Sequence, residues 1–220
     1  MAWDQIWEKI FSENEWGRYP AESLIRFIAR NFYTADRKKV HVLEVGCGVG
    51  ANLWYLAREG FNAYGIDGSS SAIKKAGAFL SAEQTPADLK VGDILSLPYP
   101  SETFDAVIDV ECLYANSRGD TEKMLAEIKR VLKPGGLFFS RTIADDIYIG
   151  KSRKKVGDNE YTDISDGPLA GRGFARLTGR QGACDLYGSI FDVLSIDSLV
   201  ATVNNGSMKV SEWIIICRKA

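Results

Sequence analysis

Apolar residues recur at helical spacing from the start of the chain, at Trp3, Ile6, Trp7, Ile10 and Phe11, until Gly17 and Pro20 break the pattern. Leu24, Ile25, Phe27 and Ile28 open a second amphipathic stretch, so residues 1–33 predict two helices. The charged segment Asp36–Lys39 then leads into VHVLEV, residues 40–45, a short β-branched run of the kind buried in a parallel sheet. From there the pattern alternates. Residues 52–59 read as helix, Ala63–Ile66 as strand, Ser71–Leu80 as helix and Leu89–Val91 as strand. Phe104–Val110 is a strongly apolar strand, Thr121–Leu132 an amphipathic helix and Leu137–Thr142 another strand. Alternation of this kind predicts βαβ units with right-handed crossovers.

The end of the chain departs from that rhythm. Ile190–Leu199 and Lys209–Cys217 are strand-like runs separated only by a polar segment containing Asn204-Asn205-Gly206, too short for a helix. They predict an antiparallel hairpin. The expected fold is therefore α/β, a doubly wound, mostly parallel seven-stranded sheet with an antiparallel last strand and an N-terminal helical cover. One domain over 1–220 is expected, with a cover at 1–35, a core at 40–142, an insertion at 143–180, and a helix and hairpin at 181–220. The insertion is polar, Gly-rich and weakly periodic, and a segment of that length reads as a lid or substrate segment.

Composition narrows the function classes. The chain has 220 residues, 45% apolar and 25% charged, with a formal charge of −2, which disfavours a non-specific nucleic-acid binder. Cys47, Cys112, Cys184 and Cys217 are scattered and offer neither a zinc pattern nor a disulfide scaffold, so no metal site is expected. The first residues mix charge with aromatics instead of forming a signal peptide, and no apolar run suits a membrane helix. A cytoplasmic location and no membrane partner follow as expectations; the oligomeric state stays open.

Leu43–Gly50, LEVGCGVG, joins the first strand to a helix. Glycines there allow a tight turn and close approach of a ligand to backbone N–H groups. Gly46, Gly48 and Ala51 also satisfy the G-x-G-x-x-A dinucleotide pattern, with Asp67 ending the second strand 21 residues after Gly46. A nicotinamide or flavin enzyme therefore competes at this point. Glu44 stands two residues before the first glycine, where its charge suits a cationic ligand group and not a pyrophosphate. Val91-Gly92-Asp93-Ile94 sets an acid just after the third strand, and Leu132-Lys133-Pro134-Gly135-Gly136 carries helix-stop signals.

With these motifs in order, the sequence resembles the class I S-adenosylmethionine-dependent methyltransferases. VLEVGCGVG is similar to their glycine-rich first motif, YGIDGSS (64–70) to the acidic second, GDILSLPYPSETFDAVIDVECLYA (92–115) to the third and LKPGGLFF to the fourth. The resemblance implies S-adenosyl-L-methionine as methyl donor and S-adenosyl-L-homocysteine as product. It implies that Gly46 and Gly48 pass under the methionine and ribose portions. Asp67 with Gly68 would hold the ribose hydroxyls, Asp93 and Ile94 would flank the adenine, and Glu44 would face the amino group. Asp109 and Val110 would meet the methionine end or the acceptor.

Methyl transfer is a displacement at a carbon already activated by sulfonium, so alignment and sometimes proton removal are what the protein supplies. Glu111 and Tyr114, just after the fourth strand, are the catalytic candidates. His41, the only histidine, opens the first strand at the edge opposite the site. Arg18, in Trp16-Gly17-Arg18-Tyr19-Pro20, is the candidate for the cofactor carboxylate, with Trp16 or Tyr19 facing the sulfonium. Within the insertion, Arg172 and Arg176 are candidates for a carboxylate or phosphate on the acceptor. The expected activity is methylation of O or N on a small molecule. Its competitors are a macromolecular acceptor, an NAD-dependent oxidoreductase and a silent S-adenosylmethionine-binding module.

Overall fold

The computed structural model describes residues 3–220; the first two residues of the N-terminal cover lie outside that description. Five strands carry the parallel core: β1 (His41–Val45), β2 (Asn62–Asp67), β3 (Asp88–Val91), β4 (Phe104–Val110) and β5 (Leu132–Ile143). Helices α1 (Ile6–Glu13) and α2 (Glu22–Phe32) precede them, and α3 (Ala51–Arg58), α4 (Ser70–Ala82) and α5 (Arg118–Val131) connect them. After the insertion come α6 (Arg180–Gly188), β9 (Asp192–Val203) and β10 (Met208–Arg218).

The seven strands are ordered β3-β2-β1-β4-β5-β10-β9. β10 runs antiparallel to both β5 and β9, so the last strand alone is reversed. This is the predicted architecture. The hairpin forces the reversal: β9 and β10 are joined by four residues, and Asn204, Asn205 and Gly206 all adopt positive φ there. The 143–180 segment is more ordered than its weak periodicity predicts. It holds a small antiparallel sheet of β6 (Lys154–Gly157), β7 (Glu160–Thr162) and β8 (Ala175–Arg176). Ile147, Ile164, Leu169 and Leu177 pack with Tyr114 beneath it, and the Trp213 indole N–H donates to the Thr178 carbonyl at 2.7 Å.

Strand alternation divides the core in two. Leu43, Val45 and Val107 face α5 and α6, meeting Leu125, Ile128 and Leu186. Val42, Ala106 and Ile108 face the other way, onto Leu24, Phe27, Ile28, Leu53 and Leu56 of α2 and α3. Most of these side chains are fully buried, each contributing about 1.5–3 kcal/mol relative to exposure when large. The carboxyl ends of β1, β2 and β4 thus converge on a rigid edge. Helix ends are fixed locally: the Ser69 hydroxyl accepts from the Ala72 N–H at 3.0 Å, and Ser117 accepts from Asp120 at 3.2 Å.

Candidate functional site

At that edge opens a cavity of about 300 Å³, floored by the strand ends and roofed by the N-terminal segment. The loop after β1 sets its floor. Gly46 and Gly48 adopt φ of +67° and +50°. A side chain on Gly46 would run into Cys112, so the chain after β4 packs directly on this glycine. The Gly46 and Cys47 N–H groups are spent on the Ile66 carbonyl, at 2.8 and 3.1 Å. The Gly48 N–H donates to Asp67 Oδ2 at 2.8 Å, and the Ser69 N–H to Oδ1 at 2.8 Å. Asp67 therefore locks the first two strand-end loops together, and burial still raises its pKa against those hydrogen bonds.

Glu44 is 2% exposed. Its Oε1 accepts from Asn52 Nδ2 at 2.6 Å, while its buried Oε2 has no partner among the described residues. Burial, opposed by that hydrogen bond and reinforced by Asp67 and Asp109, pushes the carboxyl up to about 8. Asn52 in turn accepts from the Ala21 N–H at 3.1 Å, tying the roof segment to the floor. Asp93 and Ile94 line the same cavity, Asp93 also capping the Leu95 N–H at 3.0 Å.

The roof is aromatic. Trp7, Phe11 and Trp16 pack together with ring centroids 5.3–6.2 Å apart, and Trp3 lies against Gly68. Glu8 holds this roof down: its carboxylate accepts from the Ser69 hydroxyl at 2.6 Å and from the Ser71 hydroxyl at 2.5 Å, at the start of α4. Those bonds lower the Glu8 pKa. Trp16 and Tyr19 line the cavity, but Arg18 between them turns away and lies 5.5 Å from the Phe79 ring, outside it. Backbone direction separates neighbours in an extended segment, a distinction that composition does not carry.

The same parity separates Asp109 from Val110. Val110 lines the cavity; Asp109 points to the opposite face, fully buried, where it accepts from the Cys112 and Leu113 N–H groups and the Ser140 hydroxyl. Burial pushes its carboxyl up to about 6 despite these donors. Asp109 thus organises the turn after β4 from behind. Tyr114 likewise sits in the core beneath the insertion, 0% exposed and away from the cavity lining, with its hydroxyl pushed up to about 12 by burial. Glu111, at φ +57°, does line the cavity. It pairs with Arg141 at 3.2 Å, and Arg141 pairs with the buried Glu212 at 2.6 Å. Burial and the hydrogen bond to Glu111 raise Glu212 to about 7.

Sequence reasoning missed Glu8, Asn52, Arg141 and Glu212. Each acts across more than one element, and only Asn52 carried a signal, as a polar residue in the first turn after the glycine loop. Cys47 and Cys112 line the cavity as free thiols, pushed well above their ordinary range by burial. Arg172 lines the cavity too, whereas Arg176 is buried with Nη2 on the Leu113 carbonyl at 3.3 Å. His41 lies at the opposite strand end, with Nδ1 2.9 Å from the Tyr64 hydroxyl. Among the described residues no group of three or more His, Cys, Asp or Glu could hold a metal ion, and no helix is long and apolar enough to cross a membrane.

Comparison with known proteins agrees with this architecture. Residues 42–136 match the family described as "Methyltransferase domain". The chain is 41% identical over 108 residues to a fatty-acid O-methyltransferase of Mycolicibacterium smegmatis, covering 47% of this chain and 37% of that protein. It is 33% identical over 117 residues to norajmaline N-methyltransferase of Rauvolfia serpentina, covering 52% and 39%. The chain thus spans well under two thirds of the length of these relatives. A crystal structure of an S-adenosylmethionine-dependent methyltransferase from Methanosarcina mazei shares the fold at a TM-score of 0.71 and 20% identity, covering 87% of this chain and 96% of that one.

Proposed function

We propose that the chain, whose residues 42–136 match a methyltransferase domain, uses S-adenosylmethionine to transfer a methyl group to oxygen or nitrogen of a small molecule bound in the 300 Å³ cavity. One observation carries the reading: Glu44, Asp67 and Asp93, from three consecutive strand ends, line one cavity, and Glu44 keeps a buried oxygen without a partner among the described residues. A cationic amino group is the natural partner for that oxygen, since an unpaired buried carboxylate is costly. The residues fit the donor. Glu44 would hold its amino group, Gly46 and Gly48 would lie under its methionine and ribose portions, Asp67 would accept from ribose hydroxyls, and Asp93 and Ile94 would flank adenine.

When bound, S-adenosylmethionine supplies a methyl carbon activated by sulfonium. The protein's share is alignment and exclusion of water. Trp7, Phe11 and Trp16 close the roof, with Glu8 and Asn52 clamping it to α4 and β1. Glu111 stands at the acceptor end, where its carboxylate, held by Arg141, accepts a proton from the incoming nucleophile. Thermal unfolding with S-adenosylmethionine, S-adenosylhomocysteine and NAD(H) in parallel tests the proposal. The two adenosyl ligands should raise Tm, because a ligand that binds only the folded state stabilises it. A shift with NAD(H) alone would refute it.

A further inference from the structure

Two guanidinium groups line the cavity, and their electrostatic situations differ. Arg141 is held between Glu111 and Glu212, at 3.2 and 2.6 Å, so its charge is already balanced. Arg172 is half-buried, and among the described residues no carboxylate lies within ion-pair distance of it. Asp4 packs against the neighbouring Gly173 but accepts from the Ile6 N–H through Oδ1. The local chain is built to present this arginine: Gly171 and Gly173 on either side adopt φ of +70° and +73°. The guanidinium carbon lies 5.3 Å from the centroid of the Trp16 ring, and its charge reaches the Tyr114 hydroxyl.

A cation–π contact offsets only part of the cost of half-burying a cation. A planar guanidinium that faces a tyrosine hydroxyl and an indole ring but no carboxylate keeps the fork that binds a carboxylate or phosphate through two parallel hydrogen bonds. Glu111 also lines the cavity, but it is paired with Arg141, so Arg172 is the lining guanidinium left for an anionic ligand.

We propose that Arg172 reads an oxyanion on the methyl acceptor, with Trp7 and Trp16 packing on the acceptor's apolar body. The acceptor is then an amphipathic acid, carboxylic or phosphoric, whose methylated atom lies toward Glu111. The inference rests on reading the cavity as a methyltransferase site. Isothermal titration of the protein loaded with S-adenosylhomocysteine, using benzoate, phenyl phosphate and methyl benzoate as probes, tests it. At least one of the two anions should bind, methyl benzoate should not, and the tighter anion identifies the oxyanion. Arg172→Met should weaken that binding at least tenfold, with Arg172→Lys in between. Failure of both anions to bind, equal binding of methyl benzoate, or unchanged affinity in Arg172→Met overturns the proposal. So does an Arg172→Met variant that loses affinity for S-adenosylhomocysteine while keeping it for 5′-methylthioadenosine, since the arginine would then hold the cofactor's carboxylate. Failure of wild type to bind S-adenosylhomocysteine at all would instead remove the premise, a separable result.

Discussion

Replacing Glu44 with glutamine removes a charge and almost no volume, and its effects on stability and on binding should have opposite signs. The carboxyl is 2% exposed, with one oxygen on Asn52 and the other unpartnered. Burial raises its pKa from the ordinary carboxylate range to about 8. The folded state therefore binds more protons than the unfolded one between those values. The stability Glu44 contributes is fully present at acid pH and is lost as pH rises through about 8. At about 1.4 kcal/mol per pKa unit the ceiling on that loss is about 5 kcal/mol, and relaxation reduces it to roughly 1–3 kcal/mol. Glu44→Gln should thus melt higher than wild type at pH 8.5 and about equally at pH 5. The same variant lacks the negative partner for the donor's amino group. Losing one charged hydrogen bond, roughly 1.5–3 kcal/mol, should weaken S-adenosylhomocysteine binding by about ten- to a hundredfold. Differential scanning fluorimetry at both pH values, with and without ligand, reads both effects. A variant that melts at or below wild type at pH 8.5, with an undiminished ligand shift, would refute the electrostatic reasoning.

Four further outcomes follow from the geometry. Glu8→Ala removes the carboxylate that pins the aromatic roof to Ser69 and Ser71; because the residue is only partly buried, overall stability should fall by only about 1 kcal/mol, while hydrogen exchange over residues 3–16 should speed up markedly and cofactor dissociation with it. In wild type the lowered Glu8 pKa means this latch holds above the ordinary carboxylate range and is lost as pH falls through the lowered value, so roof exchange should quicken under acid conditions. Asp109→Ala leaves the Cys112 and Leu113 N–H groups without their acceptor in the core, the Ser140 hydroxyl keeping Tyr187 as a partner, and should cost roughly 3 kcal/mol by urea denaturation; a loss below about 1 kcal/mol would contradict the structural role. Gly46→Ala must adopt a left-handed φ and displace Cys112, so soluble protein should show no thermal shift with S-adenosylhomocysteine, and Cys112→Gly in the same chain should restore part of it.

The pattern of apolar residues was enough for the sheet. Buried parallel strands read as continuous β-branched runs, and the helices between them show the 3.6-residue period, so β1, β4 and α5 could be placed within a few residues. The absence of a helix between the last two runs fixed the reversed strand. Glu44, Gly46, Gly48, Asp67, Asp93 and Ile94 were also legible, because strand ends in such sheets converge and position along the chain alone puts them there. Parity was not legible. Where a strand frays into a loop, a one-residue step decides cavity or core, and so Val110 lines the cavity while Asp109 is buried behind it. Arg18 and Tyr114 turned away from the cavity for comparable reasons, one onto Phe79 and one into the core beneath the insertion. The rest of the cavity wall depends on residues far apart in sequence: Glu111 on Arg141, which the buried Glu212 holds in turn, and Arg172 against Trp16. Contacts of that separation leave no periodic trace, since each depends on how three layers and an insertion pack. The floor of the cavity follows from strand order, which sequence encodes, and its remaining wall from packing, which only the tertiary structure decides.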